Sequence, residues 1–169
     1  MLTFKAKPYK LESWNIARIP DDVSKQLPSR GIVMVKGTLN DDPFKAVLEP
    51  DGWGSHWLSI DKKFIGKSIE VAIEPTKDWI EPEIPQDIAS ALKANTTAHE
   101  TWQKTTPQAH WEWIRWIRAT NNSETRQRRI EVACSKLKSG MRRPCCFNAS
   151  ACTVAEVSKN GALLEPTVV

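Results

Sequence analysis

Two hydrophobic periods divide this chain. Up to about residue 77 apolar and polar positions alternate with a period of two, as in half-buried strands. Beyond Pro85 they recur at i, i+3 and i+4, as in amphipathic helices. The clearest strand is GIVMVKGTL over residues 31–39, rich in β-branched side chains. Turn chemistry at Asn40-Asp41-Asp42-Pro43 leads to a return strand over 44–49, with Phe44, Ala46 and Leu48 on one face. After the turn Pro50-Asp51-Gly52, residues 55–60 put His56, Leu58 and Ile60 on one side and Ser55, Trp57 and Ser59 on the other. Residues 68–74 turn Ile69, Val71 and Ile73 inward. Shorter candidates cover residues 4–7 and 14–19, and the proline-bounded connector 20–28 has room for a helical turn. Five or six short strands at this spacing predict a small antiparallel β-barrel over residues 1–77.

Residues 78–84 hold three acidic side chains, Pro82 and Trp79, and with Pro75 and Pro85 on either side the stretch resists both helix and central strand and reads as an extended linker. Residues 85–140 then predict a helical unit of three or four helices. Pro85 opens the first, with Ile88, Ala91 and Leu92 on its apolar face. Thr97-Ala98-His99-Glu100 has a capping-box pattern and starts a short helix carrying Trp102. Thr106-Pro107 opens the third, whose apolar arc holds His110, Trp113, Ile114 and Ile117, with Arg115 on the opposite side. Ser123 caps the last helix, whose stripe is Ile130, Ala133, Cys134 and Leu137 and which Gly140 ends. The fold class is α+β. Residues 141–169 lack periodicity and are expected to form a poorly ordered, cysteine-containing tail.

Charge changes the picture little. Net charge is +4, with 14 basic and 15 acidic residues up to residue 105 and 10 basic and 5 acidic residues after it. The basic second half permits an anionic partner, nucleic acid included, but so small an excess is usually a solvated surface. No segment has the length and hydropathy of a membrane span or a signal peptide, so the expectation is a cytoplasmic protein with reduced thiols.

Candidate chemistry is sparse, and no catalytic constellation is complete. His56 and His110 both fall on core-facing positions, which favours hydrogen-bonded structural histidines over bases. Arg126 lies within the apolar stripe of the last helix and Arg129 borders it, whereas Arg128 points away. A half-buried guanidinium needs an anionic or carbonyl partner. That partner is either internal, from Glu112, Glu124 or a neighbouring helix's last carbonyls, or a bound anion at the positive end of the helix. Trp53 and Gly54 sit in a loop with two glycines, where a ligand could approach the backbone closely. Cys145, Cys146 and Cys152 are weak metal or redox candidates, because their spacing is not that of a zinc site. No cofactor is implied. The expected function is therefore non-enzymatic binding or stress protection, with an anionic ligand or protein as partner. Nucleic-acid binding and thiol chemistry are the alternatives.

Several of these residues resemble a known pattern. Pro85-Gln86-Asp87-Ile88, Trp116-Ile117, Glu124-Thr125-Arg126-Gln127-Arg128-Arg129-Ile130 and Lys138-Ser139-Gly140 are similar to the bacteriocin-protection, YdeI/OmpD-associated family of bacterial proteins. Residues 4–74 are similar to the small β-barrel domain of unknown function often fused in front of it, best over residues 31–38. That domain usually has a Gly-Asp pair before its last strand, where this chain has Gly66-Lys67-Ser68. The resemblance implies a part in tolerating antimicrobial proteins or envelope stress and brings no enzyme activity.

Overall fold

The computed structural model describes residues 1–144 and 147–165. They form two compact units. One comprises Met1–Ile80, Ala149–Cys152 and the chain from Glu156 onward; the other comprises Glu81–Asn148 and Thr153–Ala155.

The first unit is a curled antiparallel sheet. Its strands are β1 (Leu2–Ala6), β2 (Tyr9–Leu11), β3 (Trp14–Arg18), β4 (Val33–Leu39), β5 (Asp42–Pro50), β6 (His56–Ser59) and β7 (Ile69–Pro75), with a short helix α1 (Asp21–Ser24) between β3 and β4. The order is β1-β7-β4-β5-β6-β3-β2. Its two edge strands are neighbours in sequence, separated only by Lys7 and Pro8. One kinked stretch thus pairs with β7 before the kink and with β3 after it, which curls the sheet toward a barrel. Pro8 has no N–H to donate, so the ladder breaks there. This break raises the strand count from the expected five or six to seven.

Alternation fills the interior. Val33, Val35, Leu48, Leu58, Ile69, Val71 and Ile73 form its core with Ile19, Val23 and Leu27 from the α1 region. Each such side chain withdrawn from water contributes about 1.5–3 kcal/mol before entropy is counted. Gly37 lets β4 cross β7 closely: a β-carbon there would lie 1.8 Å from the Ala72 carbonyl oxygen. The outer face of the sheet is also covered. Ile16, Met34 and Trp57 are buried there, so Trp57 is not on a solvent side as its alternation suggests. It meets Trp14 edge to face, with ring centroids 5.8 Å apart.

The stretch beyond Gly140, expected to lack fixed structure, corrects that expectation wherever it is described. It carries a two-stranded hairpin, β8 (Ser158–Lys159) and β9 (Ala162–Leu163), and buries Cys152, Val154, Val157 and Leu163. Within the first unit Glu156 accepts bonds from the Ser13 hydroxyl (2.6 Å) and the Trp14 indole (3.0 Å). These are contacts between residues far apart in sequence, so periodicity over 141–169 could not reveal them.

The second unit packs four helices, α2 (Gln86–Lys93), α3 (Thr96–Lys104), α4 (Pro107–Arg118) and α5 (Ser123–Lys138), around Ile88, Leu92, Trp102, Trp113, Ile114, Ile117, Ile130 and Leu137. Thr106 caps α4 as expected, its hydroxyl accepting from Ala109 N at 3.2 Å, with Pro107 in the first turn. Two other caps fall earlier than the sequence patterns suggest. Asn95, not a box starting at Thr97, caps α3, and Asn122, not Ser123, caps α5; each side-chain oxygen accepts an orphan N–H three residues on.

Candidate functional site

The loop between β5 and β6 is built by Asp51. Its Oδ1 accepts from Trp53 N (2.7 Å) and Ser55 N (2.9 Å), closing a tight side-chain-to-backbone turn. Gly52 sits at φ +78°, and a β-carbon on it would lie 2.0 Å from the Gly161 carbonyl oxygen. At Gly52 the close backbone neighbour is the chain's own β8–β9 hairpin, whereas a β-carbon on Gly54 would meet nothing within 4 Å. Leu163 N donates to the Asp51 carbonyl at 2.7 Å, and the Trp53 indole N–H donates to the Leu163 carbonyl at 3.0 Å. On the other side Arg30 donates to the Gly54 carbonyl at 3.0 Å. Trp53 is nonetheless 67% exposed, the one tryptophan in the exposed class among the described residues. The result is a rigid loop presenting a large indole face to solvent.

The arginines of α5 are engaged within the second unit. Arg126 grips the Asp87 carboxylate with its Nε and Nη2, at 2.7 and 3.0 Å. That bond holds the Asp87 carboxyl below the usual carboxylate range and raises the Arg126 guanidinium, burial opposing both shifts. The expected half-burial of Arg126 is present, at 28% side-chain exposure, but its acidic partner is Asp87 on α2 rather than Glu112 or Glu124. Arg129 donates to the Trp116 carbonyl near the end of α4 (3.2 Å) and lies 5.9 Å from that indole's centroid. Together the two arginines tie α5 to α2 and to α4. Arg128 is exposed.

Arg115 was expected on the polar side of α4 and is fully buried instead. Glu112, one turn earlier, faces it at 3.5 Å, and the Phe147 ring lies 5.2 Å from its guanidinium. A helical wheel separates apolar from polar positions but cannot show that Phe147, beyond the last helix, covers the polar one. Arg118 sends Nε and Nη2 to the Thr153 hydroxyl, both at 3.2 Å.

Both core histidines are hydrogen-bonded, and their partners come from far along the chain. His56 Nε2 donates to the Gly31 carbonyl at 2.8 Å, which leaves Nδ1 to accept the Ser24 hydroxyl at 2.6 Å. Burial pushes the His56 pKa down. Ser24 is a partner that no sequence spacing identified. Ser24 and His56 are each 0% exposed, so this serine–histidine pair is sealed from any substrate. His110 stacks on Trp102 with ring centroids 4.2 Å apart and bonds at both nitrogens, to the Glu81 carboxylate and to the Trp102 carbonyl (2.8 Å).

The thiols offer less. Cys152 is buried, and Cys134 is half-buried with its pKa pushed up by burial, the opposite of an activated thiolate. Cys145 and Cys146 lie outside the described residues. No group of three or more His, Cys, Asp or Glu side chains is placed to hold a metal ion, and no helix is long and apolar enough to cross a membrane, among the described residues.

No curated protein matches the chain. Residues 3–76, the sheet unit, match a domain of unknown function, DUF1905, and residues 81–140, the four helices, match the family described as "Bacteriocin-protection, YdeI or OmpD-Associated". The chain thus carries, in this order, a region similar to DUF1905 and a region similar to the YdeI/OmpD-associated bacteriocin-protection family.

Proposed function

We propose that the protein acts without catalysis, as a binding protein in protection against bacteriocins, and that its contact surface centres on Trp53 and Gly54. One observation carries this reading: an indole 67% exposed on a loop fixed by Asp51, Arg30 and Leu163. A large aromatic held in place loses little entropy on binding, which is why tryptophan dominates interface hot spots. The start of α5 is a weaker candidate, because an anion there would have to displace Asp87 from Arg126 and the Trp116 carbonyl from Arg129. Stacking of bases on α4 is likewise disfavoured at two of its tryptophans, because Trp113 is buried and Trp116 carries Arg129.

The test is survival of bacteriocin-sensitive bacteria expressing the protein. Wild type is expected to protect at a dose lethal to cells without it, and Trp53→Ala to lose that protection at unchanged Tm. Equal survival with and without the wild-type protein overturns the reading.

A further inference from the structure

One face of three neighbouring strands carries buried polar groups that make no well-formed hydrogen bond among the described residues: the Tyr9 hydroxyl on β2, Nε and Nη2 of Arg18 on β3, and the Trp57 indole N–H on β6. The register puts them on the same side, since Tyr9 pairs with Ile16, two residues from Arg18, and Arg18 pairs with Trp57. Buried polar atoms left without partners are rare in folded proteins and call for an explanation. Arg18 makes its one well-formed hydrogen bond among the described residues through Nη1, which donates to Glu165 at 2.8 Å, and its other contact is with the Tyr9 hydroxyl. Its Nε/Nη2 fork is the same pair of donors with which Arg126 grips Asp87, and here no carboxylate of the described residues fills that fork. The Arg18 guanidinium also lies within polar contact of the Tyr9 hydroxyl, and its charge and that contact oppose the upward push that burial gives the hydroxyl, while Glu165 and Asp51 supply the nearby negative charge. Asp51 is committed to the Trp53 and Ser55 amides. Glu165 is 68% exposed, so it can swing away without disturbing the core, and the Arg18 side chain is already 31% exposed.

We propose that Arg18 and Tyr9, with Trp57 beside them, form an oxyanion site for a carboxylate or phosphate group on a small ligand, with Glu165 as its displaceable self-ligand. The chemistry follows from the donors: a planar fork and a hydroxyl match two or three oxygens of one anion, and a carboxylate already occupies the outer end. The site makes no use of the exposed Trp53 face, and its readout is separate from bacteriocin survival.

The experiment titrates the full chain with benzoate and, separately, inorganic phosphate, following the Arg18 Nε–H and Trp57 indole N–H resonances. Saturable shifts are expected, with about tenfold tighter binding in Glu165→Ala, because the self-ligand no longer competes. Arg18→Lys keeps the charge, loses the fork and is expected to weaken binding by about tenfold or more; Tyr9→Phe weakens it less. A response to only one anion supports the site and identifies which oxyanion it takes. No saturable shift with either anion in Glu165→Ala overturns the proposal, as does equal affinity in Arg18→Lys. An affinity unchanged by Glu165→Ala overturns the self-ligand role.

Discussion

Arg126 holds Asp87 through two parallel hydrogen bonds, Nε to Oδ2 at 2.7 Å and Nη2 to Oδ1 at 3.0 Å. This pair joins the first turn of α2 to the first turns of α5, 39 residues later. With 43% exposure at Asp87 and 28% at Arg126, solvent screens much of its Coulomb energy.

A double-mutant cycle of Arg126→Met and Asp87→Asn in urea denaturation is therefore expected to give a coupling of about 0.5–1 kcal/mol, shrinking in high salt. The Asp87 carboxyl is depressed, so its contribution is present above the unfolded pKa of about 4 and is lost as pH falls through the lower folded value. A coupling indistinguishable from zero at low salt refutes a specific Arg126–Asp87 contact.

Gly52 and Gly161 meet backbone to backbone. Gly52→Ala adds a β-carbon 2.0 Å from the Gly161 oxygen at φ +78°, whereas Gly54→Ala meets nothing within 4 Å at φ +92°. Both substitutions incur the left-handed strain of about 1–2 kcal/mol, and Gly52→Ala is expected to lose more by displacing the hairpin. Chemical denaturation compares them. Equal losses would mean that the hairpin does not rest on this loop.

His56 gives a pH dependence of opposite logic to a salt-bridged histidine. Burial lowers its folded pKa, with the Arg30 charge adding to burial and the Gly31 carbonyl and Asp51 opposing. The unfolded chain then takes up a proton first as pH falls below about 6.5, so stability is full above that pH and declines below it until the folded pKa is reached. Melting temperature is expected to fall between pH 7 and pH 5 more steeply in wild type than in His56→Gln. Parallel profiles would show that His56 does not titrate differently on folding.

Thr106→Ala removes the hydroxyl that accepts from Ala109 N at the start of α4. The expected loss is about 1 kcal/mol, with Thr106→Ser near neutral. A Thr106→Ser loss as large as that of Thr106→Ala would point away from capping and toward the methyl group.

The sequence by itself determined most of the elements and most of the two cores. Period-two alternation put Val71, Leu48 and Leu58 inside the sheet, and the 3.6-residue period put Trp113, Ile117, Ile130 and Leu137 inside the helices. Those signals are legible because burial on one face of an element repeats along that element. The partial burial of Arg126 was legible for the same reason, and the exposed Trp53 loop was marked by its turn residues. Only the tertiary structure decided which side chains complete each group. Asp87 for Arg126, Ser24 for His56, Phe147 for Arg115, and Gly161 and Leu163 for the Trp53 loop each come from another part of the chain. Long-range pairing leaves no periodic trace, so neither the ordered hairpin beyond Gly140 nor the donors of Tyr9, Arg18 and Trp57 could be read before the chain was folded.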